Sequence, residues 1–514
     1  MTTDATTSIN LFTALRAAFP ADIDAIAVET DAGKTWSWRA LDGATARIAN
    51  LFDSLNLPTG SRIAAQVDKS VEAMALYLGA LRAGHVFVPL NIAYQSAEMA
   101  YFLGNAEPAV VVCAPRNLEW LGDIAAQAGV PHVLTLDADG GGTLVAATMV
   151  QADTHQPAEK SATDLASIIY TSGTTGRSKG AMLSHGNLLS NARLLKEYWG
   201  WRPGDVLIHA LPIFHVHGLF VAIHGALING SKMIWLGKFD PDTVIAKLPE
   251  ATVFMGVPTL YVRLLADARL TRESTRNMRL FLAGSAPLQI ETFREWTERT
   301  GHTIVERYGM SETVMLTSNP YDAARGTRRG GTVGHALPGV SLRVTKAGQP
   351  LPAGEIGDIE VKGDSVFAGY WRMPEKTREE FTVDGYFRTG DVGKMDEDAY
   401  ITIVGRSKDL IISGGYNVYP AEIEGYLNDM PGVAESAVVG VPHPDFGEAG
   451  VAVVVAKPGA QIDGSALLGS LKNTLANFKI PKRCFVVDEL PRNAMGKVQK
   501  KALRDLHAGI FSAG

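Results

Sequence analysis

Residues 170–180 read Tyr-Thr-Ser-Gly-Thr-Thr-Gly-Arg-Ser-Lys-Gly. Thr171, Ser172, Thr174 and Thr175 supply hydroxyls, and Gly173, Gly176 and Gly180 allow close backbone approach. Arg177 and Lys179 add positive charge. A loop of this kind can wrap a polyphosphate with hydroxyls and backbone N–H groups. It follows the apolar run from Leu165 to Ile169, which reads as a buried strand. It precedes Ser184, which can cap a helix from His185. The position after a strand is a usual one for phosphate binding. The Gly-Lys-Ser/Thr ending of the P-loop is missing, so a nucleotide must be held in another way.

Further stretches carry chemistry. Leu211-Pro212-Ile213-Phe214-His215-Val216-His217-Gly218-Leu219 sets two histidines in an apolar run at a strand-to-helix junction, where backbone partners could satisfy both. Ala283-Gly284-Ser285-Ala286-Pro287 ends a strand and opens a helix, the ligand edge of an α/β sheet, and its backbone could stack on a purine. Glu306-Arg307-Tyr308-Gly309-Met310-Ser311-Glu312-Thr313 carries a carboxylate, Glu312, that taken alone would ordinarily be a surface residue. Asp391, in Phe387-Arg388-Thr389-Gly390-Asp391, can accept both hydroxyls of a ribose, and Arg406 after Gly405 can reach ribose or phosphate. Lys497 ends Pro491-Arg492-Asn493-Ala494-Met495-Gly496-Lys497; a lone lysine there would ordinarily be a solvated charge.

As a set and in this order, the motifs resemble those of the adenylate-forming superfamily of acyl-CoA synthetases, peptide-synthetase adenylation domains and luciferases. The Phe-His-Val-His-Gly-Leu string resembles most the malonyl-CoA and methylmalonyl-CoA synthetase branch. Arg177-Ser178 departs from the proline that many relatives carry before the loop lysine, but Lys179 is kept. The resemblance implies ATP, Mg²⁺ and coenzyme A as cofactors. It implies nucleotide contacts from Thr171, Ser172, Gly173, Thr174, Thr175, Gly284, Ser285, Ala286, Arg307, Tyr308, Ser311, Thr313, Asp391 and Arg406. Glu312 and Thr171 would hold the metal. His215 would gate the acyl site beside Met310 and Ser285, and Lys179 and Lys497 would neutralise charge in the transition state. Lys497 would then leave so that a thiol could enter along Gly414 and Gly415, by rotation about a hinge at Lys408.

The acid is suggested by the helix Pro258-Thr259-Leu260-Tyr261-Val262-Arg263-Leu264-Leu265, in which Arg263 interrupts an apolar face. Arg263, helped by Ser285, would pair with a second carboxylate on the substrate, which makes malonate and then methylmalonate the expected acids. Otherwise Arg263 lies on the surface and a short or aromatic monocarboxylate is activated. Transfer to a carrier-protein thiol, or a catalytically dead nucleotide-binding regulator, are the remaining alternatives. A swinging Lys497 would also be open to a lysine acetyltransferase.

The elements that must position these residues follow from length and rhythm. A chain of 514 residues is too long for one core and should divide. Hydrophobic residues at 46% and charged residues at 20% suit a globular protein. The net charge of −6 argues against a nucleic-acid or anionic-membrane partner. Two cysteines, Cys113 and Cys484, exclude a disulfide framework, and no apolar run or charged leader marks a membrane span or signal peptide; a cytoplasmic protein is expected. Strands alternating with long helices predict an α/β fold. Residues 1–407 would hold two helix-covered, mixed or parallel sheets and a small β-barrel at about 334–404. Residues 408–514 would form a mobile α+β domain.

Overall fold

The short apolar strands that alternate with helices assemble into two large sheets. The computed structural model describes residues 9–171, 178–413, 416–472, 474–493 and 496–511. The larger sheet has nine strands. Its central run is parallel, from Val305–Tyr308 through Leu280–Ala283, Val253–Gly256, Val206–His209 and Lys232–Trp235 to Ile26–Thr30. These strands are buried almost throughout because helices cover both faces, as a parallel sheet requires.

The smaller sheet has six strands, with Leu165–Thr171 beside Val86–Pro89. Its last pair is antiparallel. Leu165–Thr171 pairs with Lys179–Ser184, and Thr171 stands opposite Lys179. That returning strand was not expected from its sequence. Serine caps start the helices as read: Ser70 accepts from Ala73 N–H at 3.1 Å, and Ser184 from Asn187 N–H at 3.0 Å. The helix expected after His217 begins instead as a π-helical stretch, His217–Ile223, before the α-helix His224–Asn229. Gly218 is needed there, since a side chain would collide with Pro212 O.

The region expected to be a small barrel is a five-stranded antiparallel sheet, which includes Phe387–Met395 and Ile401–Arg406. The last sheet follows from Ile411 and is built around the long pair Val433–His443 and Gly447–Ala456. Arg483–Val487 adds to it in parallel. It has its own apolar core, with Val438 and Val454 packed on Ile423, Leu427 and Leu471. Among the described residues, no helix is long and apolar enough to cross a membrane.

Candidate active site

Two neighbouring parallel strands of the larger sheet, Leu280–Ala283 and Val305–Tyr308, bring Gly284, Ser285 and Arg307 together. Strand Leu280–Ala283 runs into Gly284 and Ser285. Ser285 adopts a left-handed backbone, φ 72°, which is uncommon for a residue with a side chain. Its Oγ lies 3.4 Å from His217 Nδ1. A side chain at Gly284 would collide with the guanidinium of Arg307, so Arg307 lies across that bare backbone. Arg307 is 2% exposed, and its Nε and Nη2 have no hydrogen-bond partner among the described residues. Burial pulls its pKa down to about 9. His217 Nε2 is likewise buried without a partner. Burial, and after it the charge of Arg307, holds His217 far below the usual imidazole range. His215 is half-buried and is pulled down to about 3 by burial, then by the charges of Lys497 and Arg307. An arginine and two histidines held well below the usual imidazole range therefore lie within electrostatic reach of one another.

Arg263 does not belong to this group. Its helix, Pro258–Leu265, buries Leu260, Tyr261, Leu264 and Leu265 and turns Val262, 53% exposed, and Arg263 outward. With a single apolar stripe on the helix, the charge sits on the solvated side, where it costs nothing. The expectation that Arg263 lines the acyl site is not met, because Arg263 is exposed; the buried cation beside Gly284 and Ser285 is Arg307, which the sequence marks only as a nucleotide contact.

Strand Val305–Tyr308 continues into a loop that folds on itself. Val314 and Thr313 donate backbone N–H to Met310 O at 2.9 and 3.1 Å, and Val314 has φ 57°. A side chain at Gly309 would strike Val314 O. The loop thus turns Glu312 inward, 5% exposed, while Ser311 and Met310 stay half-buried. The Tyr370 hydroxyl donates to Glu312 Oε1 at 2.9 Å. Lys179 lies 4.2 Å from the centroid of the Tyr370 ring, with its Nζ 3.3 Å from Glu380 Oε1. Tyr370 therefore links the lysine of the phosphate loop to the candidate metal ligand. Sequence reasoning missed it, and no local signal in Phe367-Ala368-Gly369-Tyr370 marks it.

Asp391 and Arg406 face each other across paired strands, and Arg406 Nε reaches Asp391 Oδ1 at 2.6 Å. The Tyr308 hydroxyl donates to the other oxygen at 2.5 Å. Asp391 is 3% exposed, and burial raises its pKa. Lys497 is half-buried. Burial lowers its pKa to about 8, the Arg406 charge adds to that, and Asp391, Arg307 and Glu312 also lie within electrostatic reach. The Lys497 loop rests on the larger sheet's side of the molecule, where a methyl on Gly496 would come within 3.2 Å of Thr259 Oγ1.

Lys408 is exposed, between two tethers. Ser407 Oγ donates to Asp358 Oδ1 at 3.0 Å, and Arg504 pairs with Asp409 at 2.8 Å. Thr171 Oγ1 reaches Lys179 O at 3.5 Å, and Ala286 is half-buried beside Ser285. Ser172, Gly173, Thr174, Thr175, Gly414 and Gly415 lie outside the described residues.

Residues 15–371 match the family model described as AMP-binding enzyme, and residues 422–497 match the AMP-binding enzyme C-terminal domain. A malonate–CoA ligase of Arabidopsis thaliana is 36% identical over 94% of this chain and 86% of its own length. The crystal structure of ATP-bound MatB from Rhodopseudomonas palustris is 54% identical, superimposes with a TM-score of 0.95, and covers 98% of this chain and 100% of that one. Apo MatB from the same organism, with the same identity and coverage, superimposes at 0.84.

Proposed function

This chain belongs to the AMP-binding enzyme family and is an AMP-forming acyl-CoA synthetase; on that premise we propose that its acid is malonate, with methylmalonate as a second substrate. The observation that carries the proposal is Arg307. A buried guanidinium without an anion is costly, and a carboxylate on the substrate removes that cost. The nitrogens without partners, Nε and Nη2, form the side-on edge that grips a carboxylate with two parallel hydrogen bonds. His217 Nε2 and Ser285 Oγ can supply further contacts to the same group. The Arabidopsis thaliana relative, a malonate–CoA ligase, supports the same acid.

The first half-reaction joins the free carboxylate of malonate to the α-phosphorus of ATP. A phosphorus–oxygen bond forms as the bond to pyrophosphate breaks. Little covalent chemistry falls to the protein, which positions the reactants and offsets charge. Asp391 exchanges Arg406 or Tyr308 for the ribose hydroxyls. Gly284, Ser285 and Ala286 bound the adenine side, with Tyr308 opposite. Lys497 and Lys179 face the phosphates, and Ser311 and Thr313 lie on the same loop as Glu312. Glu312 and Thr171 would hold Mg²⁺, which when bound neutralises phosphate charge.

In the second half-reaction the thiol of coenzyme A attacks the acyl carbonyl and AMP leaves. Lys497 then has to withdraw. We place the pivot at Lys408, between residues 1–407 and 408–514, because Ser407 is tied to Asp358 and Asp409 to Arg504. The higher TM-score to ATP-bound than to apo MatB supports reading the present arrangement as the adenylating one. Gly414 and Gly415 would border the thiol path. An acetyltransferase could reach Lys497 only after the loop leaves this seat.

Release of AMP with MgATP and coenzyme A across acetate, malonate, methylmalonate, succinate, benzoate and octanoate tests the assignment. Malonate should exceed acetate in kcat/KM by about 100-fold, the worth of a hydrogen-bonded charge pair. Preference for a monocarboxylate would remove malonate and leave adenylation intact.

A further inference from the structure

The loop that carries Lys497 is held from behind. Residues 492 and 498 face each other as an isolated antiparallel bridge. Asn493 N–H donates to Lys497 O, and Gly496 N–H to Asn493 O, each at 2.9 Å. Lys497 N–H donates to Asn493 Oδ1 at 3.0 Å. These bonds close the hairpin but do not aim it. Arg492 supplies the aim. Its Nη1 donates at 2.5 Å to Gly496 O, the carbonyl of the residue before Lys497. Its Nη2 pairs with Glu435, on the strand Val433–His443 of the last sheet. Gly496 has φ 72°, and a methyl built on it would come within 3.2 Å of Thr259 Oγ1 on the helix Pro258–Leu265, so this residue lies close to that helix.

We propose that Arg492 is a positioning residue for adenylation: it ties the Gly496 carbonyl to Glu435 and so points Lys497 at the nucleotide. The inference rests on Lys497 being the adenylating lysine. A guanidinium suits the task because its rigid fork serves two acceptors at once, whereas an ammonium is a compact point charge on a flexible stem. The grip matters only while Lys497 is in the site. The first half-reaction should therefore depend on Arg492 and the second should not.

The test uses the full-length enzyme and separates the half-reactions. Malonate-dependent ATP–pyrophosphate exchange reads the first, and conversion of preformed acyl-adenylate by coenzyme A reads the second. Arg492→Ala should lower kcat for exchange by roughly 10- to 100-fold, as expected for a misplaced catalytic group. KM for ATP and the second half-reaction should stay within about threefold of wild type. Arg492→Lys should recover part of the exchange. The exchanged pair Glu435→Arg with Arg492→Glu restores opposite charges but leaves Gly496 O without a donor, so exchange should stay low even where thermal stability returns.

Unchanged exchange in Arg492→Ala, equal losses in both half-reactions, or full recovery in the exchanged pair would overturn the proposal. Lys497→Ala, measured in parallel, separates the two claims. If it keeps exchange, the reading of Lys497 is wrong. If it loses exchange while Arg492→Ala keeps it, only the role of Arg492 is wrong.

Discussion

The proposed ribose region and the proposed acyl pocket treat charge in opposite ways. Around the ribose position the polar groups satisfy one another: Asp391 holds both Arg406 and the Tyr308 hydroxyl. In the proposed acyl pocket Arg307 and His217 keep buried nitrogens with no partner among the described residues. A nucleotide must therefore exchange existing hydrogen bonds, which returns little net free energy per bond. An acid that brings a second carboxylate supplies a partner that the protein lacks, and this returns more. Discrimination among acids should then rest on a single cation, while nucleotide affinity should be spread over several groups.

The largest effect that could break the comparison is on turnover. Asp391→Asn should lower kcat/KM for ATP by about 30-fold, less than the loss of malonate activity on removing Arg307, because Tyr308 and Arg406 remain to bind sugar and phosphate. A deeper loss at Asp391 would reverse the ranking. Tyr370→Phe should cost about tenfold in exchange rate, with much of the loss recovered at high Mg²⁺, if the hydroxyl only orients Glu312. Insensitivity of that loss to Mg²⁺ would detach Tyr370 from the metal.

The pH dependence sharpens the comparison further. Lys497 titrates at about 8, and its charge is lost as pH rises through that value. With acetate as the acid, kcat/KM for ATP should fall about tenfold per pH unit above that point. Arg307→Met removes one of the charges that depress Lys497, so the alkaline limb should move to higher pH. An unmoved limb would mean that the two cations do not share a site.

The smallest effects are on stability. Arg307→Met should raise the Tm of the ligand-free protein, and Asp391→Asn should lower it, each by about 2–4 °C. Changes of the same sign would contradict the contrast drawn between the two regions. A neighbour on the same strand gives an internal control. Burial raises Glu306 to about 8, against an ordinary value of 4.5. The folded protein thus keeps a proton that the unfolded chain releases, and this stability is lost as pH rises from about 4.5 through about 8. Glu306→Gln should flatten that part of the Tm profile.

The sequence made the ligand edge of the sheets legible because its signals are local. Gly284-Ser285 and Tyr308-Gly309 mark strand ends by composition, and Ser184 announces its helix. What it concealed depends on contacts distant in sequence. Asp391 meets Arg406 through strand register, and Tyr370 reaches Glu312 from another part of the chain. Arg307 was obscured by its neighbour. Glu306 and Arg307 point to opposite faces of one strand, and both are buried because helices cover both faces of the sheet. An alternating pattern would have placed one of them in solvent. On Pro258–Leu265 the reverse occurred: eight residues are too few to tell an arginine that breaks an apolar face from one that borders it. The strand Lys179–Ser184 was hidden because the glycine- and hydroxyl-rich sequence before it gives no strand signal.

The most direct measurement is the ratio of kcat/KM for malonate to that for acetate, in wild type and in Arg307→Met. The account predicts that the ratio falls by about 100-fold or more in the variant, with acetate activity within about threefold of wild type. A ratio that stays within about threefold would contradict it, and would show that Arg307 is not what recognises the second carboxylate.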